Sequence, residues 1–412
     1  VEQLSARLGI DLHDLRIEMI ESGLTVDQAR ARVLDVIYTA KPVDGHRPTV
    51  IITQEERDKS KSAAVDGIML RAGIATDEVG DAQTEYQTMS MLELAKDRLR
   101  IANKSTRGLD QMGIFQRALT TSDFTNILAD VANKAMLDGF ANAEESYEEW
   151  ADTTGRVNDF KTHVFARASE APSLVEINPD GGEYQYGAMA DAKESVAVVD
   201  YGIIVPFTRK AMVNDDLGAL TDVREKLGAA SKRKYGDLGY SVLTTNAAMG
   251  DGIALFEASS HGNYVASGAV PSVSALQTAF KAMATQTDIN GIQNLNVRPV
   301  YALSPWALKG TWDQLLINTY PIVPGSSGTP AVNPYAYLKA VYDSRLDADE
   351  AAGWYLAARK GMTVRLFTLN GNMTPMMETR EGWAVDGMEF KCRVTAAAKA
   401  MDYRGLYFNE GD

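Results

Sequence analysis

The stretch LGALTDVREKLGAASKRKYGDLGYSVLTTN, residues 217–246, decides the fold. Leu217, Leu220, Val223, Leu227, Ala230, Leu238 and Val242 recur every three to five positions, the spacing of one helical face. At the helical rise per residue this is a rod of roughly 40 Å. Arg224, Glu225, Lys226, Lys232, Arg233 and Lys234 are expected on its outer face. Asn214-Asp215-Asp216 stand just ahead of it. Carboxylates there stabilise a helix start by facing its positive end. Oxygen ligation of a cation is the alternative reading, and capping is the simpler one.

Upstream of the rod, residues 157–206 change character. Residues 160–167 (FKTHVFAR) and 194–206 are rich in β-branched and aromatic side chains and read as strands. Between them lie Pro172, Pro179, Gly181, Gly182, Gly187 and many charges. Two strands joined by so long a polar excursion suggest an extended hairpin, and loops of that length usually serve a function or a partner. Further upstream, residues 121–140 (TSDFTNILADVANKAMLDGF) carry a helical face of Phe124, Ile127, Leu128, Val131 and Ala135, with Thr121 or Ser122 as N-cap. The acidic run EESYEEWAD, residues 144–152, follows and is expected as a solvated face.

The first hundred residues read as short helices. Thr25-Val26-Asp27-Gln28 and Thr53-Gln54-Glu55-Glu56 fit capping boxes. Val26, Ala29, Val33 and Val36 follow the first; Val65, Ile68, Met69 and Ala72 follow the second. Residues 77–88 are polar and expected as a loop. Residues 89–102 place Met91, Leu92, Ala95, Leu99 and Ala102 on one side. Helices joined in this way resemble an arm more than a domain, and each apolar stripe needs a partner surface.

Downstream, residues 271–285 and 305–317 read as helices and 297–304 as a strand, with a Pro/Gly/Ser loop at 321–334. Residues 354–358, 363–369, 376–380 and 388–396 read as strands, some separated by the turn signals Asn370-Gly371-Asn372 and Asp386-Gly387. Helices and antiparallel strands are segregated, so the fold class is α+β.

Composition removes several functions. The 412 residues are 45% apolar, enough for a sizeable core. Lys and Arg number 41 against 55 Asp and Glu, a formal charge of −14, with no basic stripe for a dedicated nucleic-acid binder. One cysteine, Cys392, excludes an intrachain disulfide framework and a cysteine zinc knuckle. His13, His46, His163 and His261 lack metal-motif spacing. The most apolar run, residues 195–207, is too short for a membrane span and contains Asp200. No secretory signal precedes the helices, and Val1 fits either a chosen boundary or proteolytic maturation.

Catalytic candidates are few. Ser259-Ser260-His261 offers a nucleophile and a base, but adjacent side chains seldom align and no G-x-S-x-G elbow surrounds them. Gly250-Asp251-Gly252 lacks the Lys-Ser/Thr of a phosphate loop. Cys392 alternates with Phe390 and Val394 as a buried strand thiol would. Lys161 and Lys193 lie on the hairpin, where cross-linking is conceivable and plain exposure is the default. No catalytic, cofactor-binding or metal residue is assigned, and no cofactor is expected.

The order of parts, together with four segments, resembles the major capsid proteins of tailed bacteriophages with the Hong Kong 97-type fold, closest to a Mu-like branch often encoded fused behind a prohead protease. The segments are ALTTSDFTNILADVANKAMLDGF (118–140), FTRKAMVNDDLGAL (207–220), DGIALFEASSHGN (251–263) and AMDYRGLYFNEGD (400–412). The resemblance covers most of residues 85–412. It implies a helical N-terminal extension (1–110), an N-arm (111–156), an extended loop (157–206), a peripheral domain (207–250 and 349–412) with a spine helix at 217–246, and a mainly axial domain (251–348). Residues 1–85 are similar to the helical linker of such fusions; the protease's own catalytic region has no counterpart here. The implied role is a non-catalytic head subunit that self-assembles as hexamers and pentamers around double-stranded DNA in the virion, built in the bacterial cytoplasm. Portal, prohead protease or scaffold, and a decoration protein are the implied partners, with DNA contacted weakly and no membrane. The rivals are an encapsulin-like nanocompartment shell and a serine/histidine hydrolase using His261 with a nearby serine or Asp251.

Overall fold

The computed structural model describes residues 54–74, 80–168, 191–289, 291, 293–317, 333–382 and 386–411. The helices expected within 1–53, the middle of the hairpin and nearly all of the 321–334 loop lie outside them. The chain separates into two units, residues 1–57 and 58–412; the description below concerns the second and the helix that leads into it.

Helices α1 (Gln54–Arg71), α2 (Asp81–Thr88), α3 (Met91–Ile101) and α4 (Gln111–Leu119) precede the long α5 (Ser122–Asn142). Ser90 caps α3 by accepting from the Glu93 amide, while the Ser90 amide donates back to the Glu93 carboxylate at 2.7 Å. The apolar stripes read from sequence find their partner surface within the chain. Val65, Ile68 and Met69 of α1 and Met91, Leu94 and Leu99 of α3 share one core with Phe124, Ile127, Leu128 and Val131 of α5. Residues 81–88 are helical rather than the expected loop. Tertiary contacts account for this: the Tyr86 hydroxyl lies 2.8 Å from Ser60 Oγ of α1, and buried Arg98 of α3 donates to both.

After α6 (Tyr147–Trp150), strand β1 (Asp152–Val157) leads into β2 (His163–Ala168) and β3 (Asp191–Val196), which pair antiparallel with His163 opposite Val196. These are the two arms of the expected hairpin. The segment read as one strand over 194–206 is two, because β4 (Val199–Thr208) leaves β3 and joins another sheet. Helix α7 (Arg209–Val213) then turns the chain into the spine helix α8 (Asp222–Thr245). The spine starts later than read because residues 217–221 form turns.

Beyond the spine come β5 (Tyr264–Val265), α9 (Val273–Ala284), β6 (Tyr301–Ser304), α10 (Lys309–Leu315), β7 (Lys339–Tyr342), α11 (Ser344–Asp349), β8 (Trp354–Ala357), β9 (Val364–Leu369), β10 (Met376–Glu381), β11 (Gly387–Ala400) and β12 (Leu406–Asn409). The 14-residue β11 organises the first sheet. One edge of it pairs with β4 from Gly387 to Ala396; the other carries β10 and then β9, with β1 parallel outside β9. The second sheet runs β5-β12-β8-β6-β7. Segregated helices and mainly antiparallel strands match the α+β expectation.

The spine packs on α5 and on β11, but its buried stripe is not the aliphatic one. The buried residues are Arg224, Gly228, Ser231, Lys232, Tyr235, Gly236, Gly239, Tyr240 and Leu243. Ala230 is exposed, and Val223, Leu227, Leu238 and Val242 are half-buried. Arg224 and Lys232, expected outside, are inside. The cause is close backbone approach. A Cβ on Gly228 would collide with the Met136 carbonyl, and one on Gly139 with the Glu225 carbonyl. The two long helices therefore meet through reciprocal glycine notches, which rotates the aliphatic stripe partly off the contact.

Candidate assembly surfaces

The spine is fixed at both ends by the segments flagged in sequence. Ahead of it, Asp215 has a left-handed backbone (φ 56°) and its carboxylate accepts from the Met91 amide at 2.8 Å and from the Arg71 guanidinium. Asp216 accepts from the Ala219 amide at 3.1 Å. Asp215 thus serves the start of α3 and Asp216 closes the turn ahead of the spine, so neither caps the spine itself as expected, and no cluster of three or more metal-ligating side chains occurs among the described residues.

At the far end, Asn246 closes the spine with φ 47° and clasps Phe256, accepting from its amide at 2.6 Å and donating to its carbonyl at 3.1 Å. Asn263 is 1% exposed; it accepts from the Glu257 amide and donates to the Leu255 carbonyl at 2.9 Å, with Tyr403 and Leu406 carbonyls at 3.3 Å. His261 is buried, stacked on Tyr403 with ring centroids 3.7 Å apart, and held between Leu255 O (3.1 Å) and Asp251 Oδ2 (3.0 Å). Burial pushes the Asp251 carboxyl up, but bonds from His261 and the Ile253 amide outweigh it and hold it below the usual range. Ser259 Oγ donates to Glu257, not to His261. Both imidazole nitrogens are engaged in structure and the Ser259 hydroxyl is turned to Glu257, so Ser259 and His261 do not form a nucleophile–base pair. What the segment 251–263 does is clamp the spine's end to the C-terminal strand β12.

Cys392 is buried, with Sγ 3.4 Å from Ser231 Oγ, and burial pushes its thiol up. The acidic run is only partly solvated: Tyr147 and Trp150 are fully buried, Glu145 pairs with Arg345, Glu148 with Lys232 and Glu149 with Lys339. Arg345 also binds Asp237 and Asp343, beside an open polar cleft of about 1070 Å³. The sequence run concealed this because its cationic partners come from distant segments.

The remaining conspicuous surface is apolar. Strand β4 leaves Val199, Ile203 and Ile204 at 53%, 56% and 51% exposure, and Val164 of β2 at 62%. Among the described residues β4 pairs with β11 alone, so its other edge meets no strand. A ten-residue edge with exposed aliphatic side chains is a ready template for strand or surface contact with another chain. The base of the hairpin is fixed beside it: Phe165 packs on Phe367 at 4.9 Å, and Glu194 of β3 accepts from the Gly250 amide at 2.9 Å. Lys161 and Lys193 are exposed. The surface offers no chemistry of its own; it offers association. Periodicity read the strands but could not tell that β4 would be an edge.

The sequence profile described as phage capsid protein matches residues 192–409, just over half of the chain. No curated protein matches it. Among solved structures, a chain from Mycobacterium phage Adephagia superposes with a TM-score of 0.42 at 14% identity, covering 66% of this chain and 91% of that one. A chain from the procapsid of bacteriophage JBD30 gives 0.39 at 14% identity, covering 71% and 76%. A virus-like particle from Pyrococcus furiosus gives 0.39 at 10% identity, covering 68% and 97%.

Proposed function

The chain belongs to the phage capsid protein family, and we propose that within it this protein is the major head subunit of a tailed phage, with a Hong Kong 97-type architecture and a structural, not catalytic, role. The match over residues 192–409 carries the reading, because it takes in the spine, the second sheet, all of the first sheet but β1, and with it the exposed strand β4. Subunits associate as hexamers and pentamers, and closed symmetric contacts of this kind need surface that the lone subunit leaves open. The β4 row and the β2–β3 hairpin supply such surface. The parts correspond to an N-terminal extension (1–110), an N-arm (111–156), an extended loop (157–206), a peripheral domain (207–250 and 349–412) and a mainly axial domain (251–348).

The formal charge of −14 suits a container that encloses double-stranded DNA without holding it fast, since phosphate contacts drive adhesion. Portal, prohead protease and decoration proteins are the partners of assembly, which takes place in the host cytoplasm before the protein is found in the virion. The test is negative-stain electron microscopy of the expressed full chain, with light scattering. Closed shells or capsomer rings are expected. A monomer that persists at high concentration overturns the reading, and particles filled with protein rather than DNA redirect it to a nanocompartment shell.

A further inference from the structure

Arg224 is the least ordinary residue of the spine. It lies in the first turn of α8, at the positive end of that helix, and is 0% exposed. No carboxylate pairs with it among the described residues. Its Nη1 donates to the Ala219 carbonyl at 2.6 Å and its Nη2 to the Val205 carbonyl at 3.4 Å, while its buried Nε has no hydrogen-bond partner among the described residues. The Phe390 and Phe207 rings lie 4.3 and 6.0 Å from the guanidinium carbon. A buried cation without a counter-ion opposes the folded arrangement, and burial lowers its pKa to about 10.

Those two rings share one hydrophobic cluster with Val65, Ile68 and Met69 of α1 and with Met91, Leu94 and Leu99 of α3. Among the described residues, both helices are tied to the turn ahead of the spine through one carboxylate, Asp215. Asp215 takes the Met91 amide of α3 and the fork of Arg71, the last residue of α1, and Arg71 also donates to the Met89 carbonyl at 2.9 Å. The Arg71 and Asp215 side chains are 28% and 29% exposed, open to competition from solvent.

We infer that these features form one two-state element: the Asp215 junction holds α1 and α3 down over the aromatic core, and its release lets Arg224 regain water as the first turn of the spine loosens. The closed state gains apolar burial and the junction; the open state gains the solvation of a cation. A spine start set in this way lets the N-terminal helices choose between two subunit shapes. That last consequence rests on the shell reading; the coupling itself does not.

The test is arginine-specific dicarbonyl labelling of the full chain with phenylglyoxal, read by peptide mass spectrometry. Arg404, 5% exposed and remote in sequence from the junction, serves as the internal standard. In the unaltered protein both Arg224 and Arg404 stay unmodified. Arg71→Gln or Asp215→Asn is expected to raise Arg224 labelling at least about tenfold with Arg404 still protected, a population shift of local opening. Arg224 that stays protected while amide exchange shows α1 released overturns the inference. Arg224→Met decides independently of how those variants fold: it is expected to slow amide exchange in α1 by a few fold or more, having removed the reason to open. Unchanged or faster exchange in α1 of that variant overturns the inference as well.

Discussion

Spine helix α8 and strand β4 are neighbours, with Lys234 lying over the Tyr201 ring at 4.4 Å and Arg224 beside Phe207, yet they invert the usual rule of burial. The helix hides two cations and three glycines; the strand leaves three aliphatic side chains more than half exposed. Hydrophobicity alone does not decide what is buried here. The helix is covered because the same chain supplies α5 and β11 against it. Among the described residues the outer side of β4 has no such cover, and on the proposed shell reading a neighbouring subunit supplies it.

That contrast breaks most readily on the helical side. Gly228→Ala drives a methyl into the Met136 carbonyl and is expected to cost about 3 kcal/mol, read as a lowered midpoint of thermal or urea unfolding. Ala230→Ser, two positions on at an exposed site, is expected to stay within about 0.5 kcal/mol. Equal effects at the two positions would mean that the glycine notch does not set the packing. On the strand side the expectation reverses. Ile203→Lys leaves the unfolding midpoint of the subunit nearly unchanged but weakens association by about 2 kcal/mol, the burial of one large aliphatic side chain. Sedimentation or light scattering against concentration reads this, and an unaltered assembly threshold would remove β4 from the interface.

The same comparison explains what was legible in the sequence. Element identity was: Phe124, Ile127, Leu128, Val131 and Ala135 of α5 were read as one buried face and are one. Strands β8 to β10 and the start of β11 lie close to their expected limits because alternation and Asn-Gly or Asp-Gly turns are local signals, while β11 runs on to Ala400, where it pairs with β9. The spine's orientation was not legible, since an aliphatic stripe at helical spacing outweighs glycines in any hydropathy reading, and only the partner helix reveals that Gly228 and Gly139 are the contact. The same stripe puts Arg224 and Lys232 outside, where the structure has them buried. Strand β1, within DTTGRV, has little apolar alternation and owes its place to parallel pairing with β9. The loop carrying Ser259 and His261 was flagged by residue type, and its clamp role emerged only with Asn246, Asn263 and Tyr403 in place.

Lys232 sharpens the contrast from within the helix. Its ammonium donates to the Ala143 carbonyl at the end of α5 at 2.6 Å and pairs with Glu148 at 3.1 Å, so this buried cation is compensated where Arg224 is not. Lys232→Met is therefore expected to destabilise by about 1 kcal/mol through loss of the helix-end interaction. The same substitution at Arg224 should not destabilise comparably, because no ion pair is lost. Unfolding midpoints of the two variants side by side give the answer, and a larger loss at Arg224 would overturn the distinction.

The smallest expected effect is a pH dependence in the clamp at the spine's far end. Glu257 accepts from the backbone amides of Ser260 and Ser259 and from Ser259 Oγ, and these bonds hold its carboxyl down to about 2. A carboxylate depressed by folding contributes stability that is complete above its unfolded value, near about 4.3, and fades as pH falls toward the folded value. The contribution is thus present at neutral pH and lost in acid. Glu257→Gln removes the charge that accepts these donors and is expected to flatten the decline of the unfolding midpoint between about pH 5 and about pH 3, with a small loss at neutral pH. The site is open to solvent, so screening keeps the effect modest, and added salt should leave the short backbone bonds largely intact. An acid decline identical in the two proteins would show that the loop holds its shape through Asn263 and Asn246 alone, and that the clamp resembles the spine's glycine contact more than a charge-set joint.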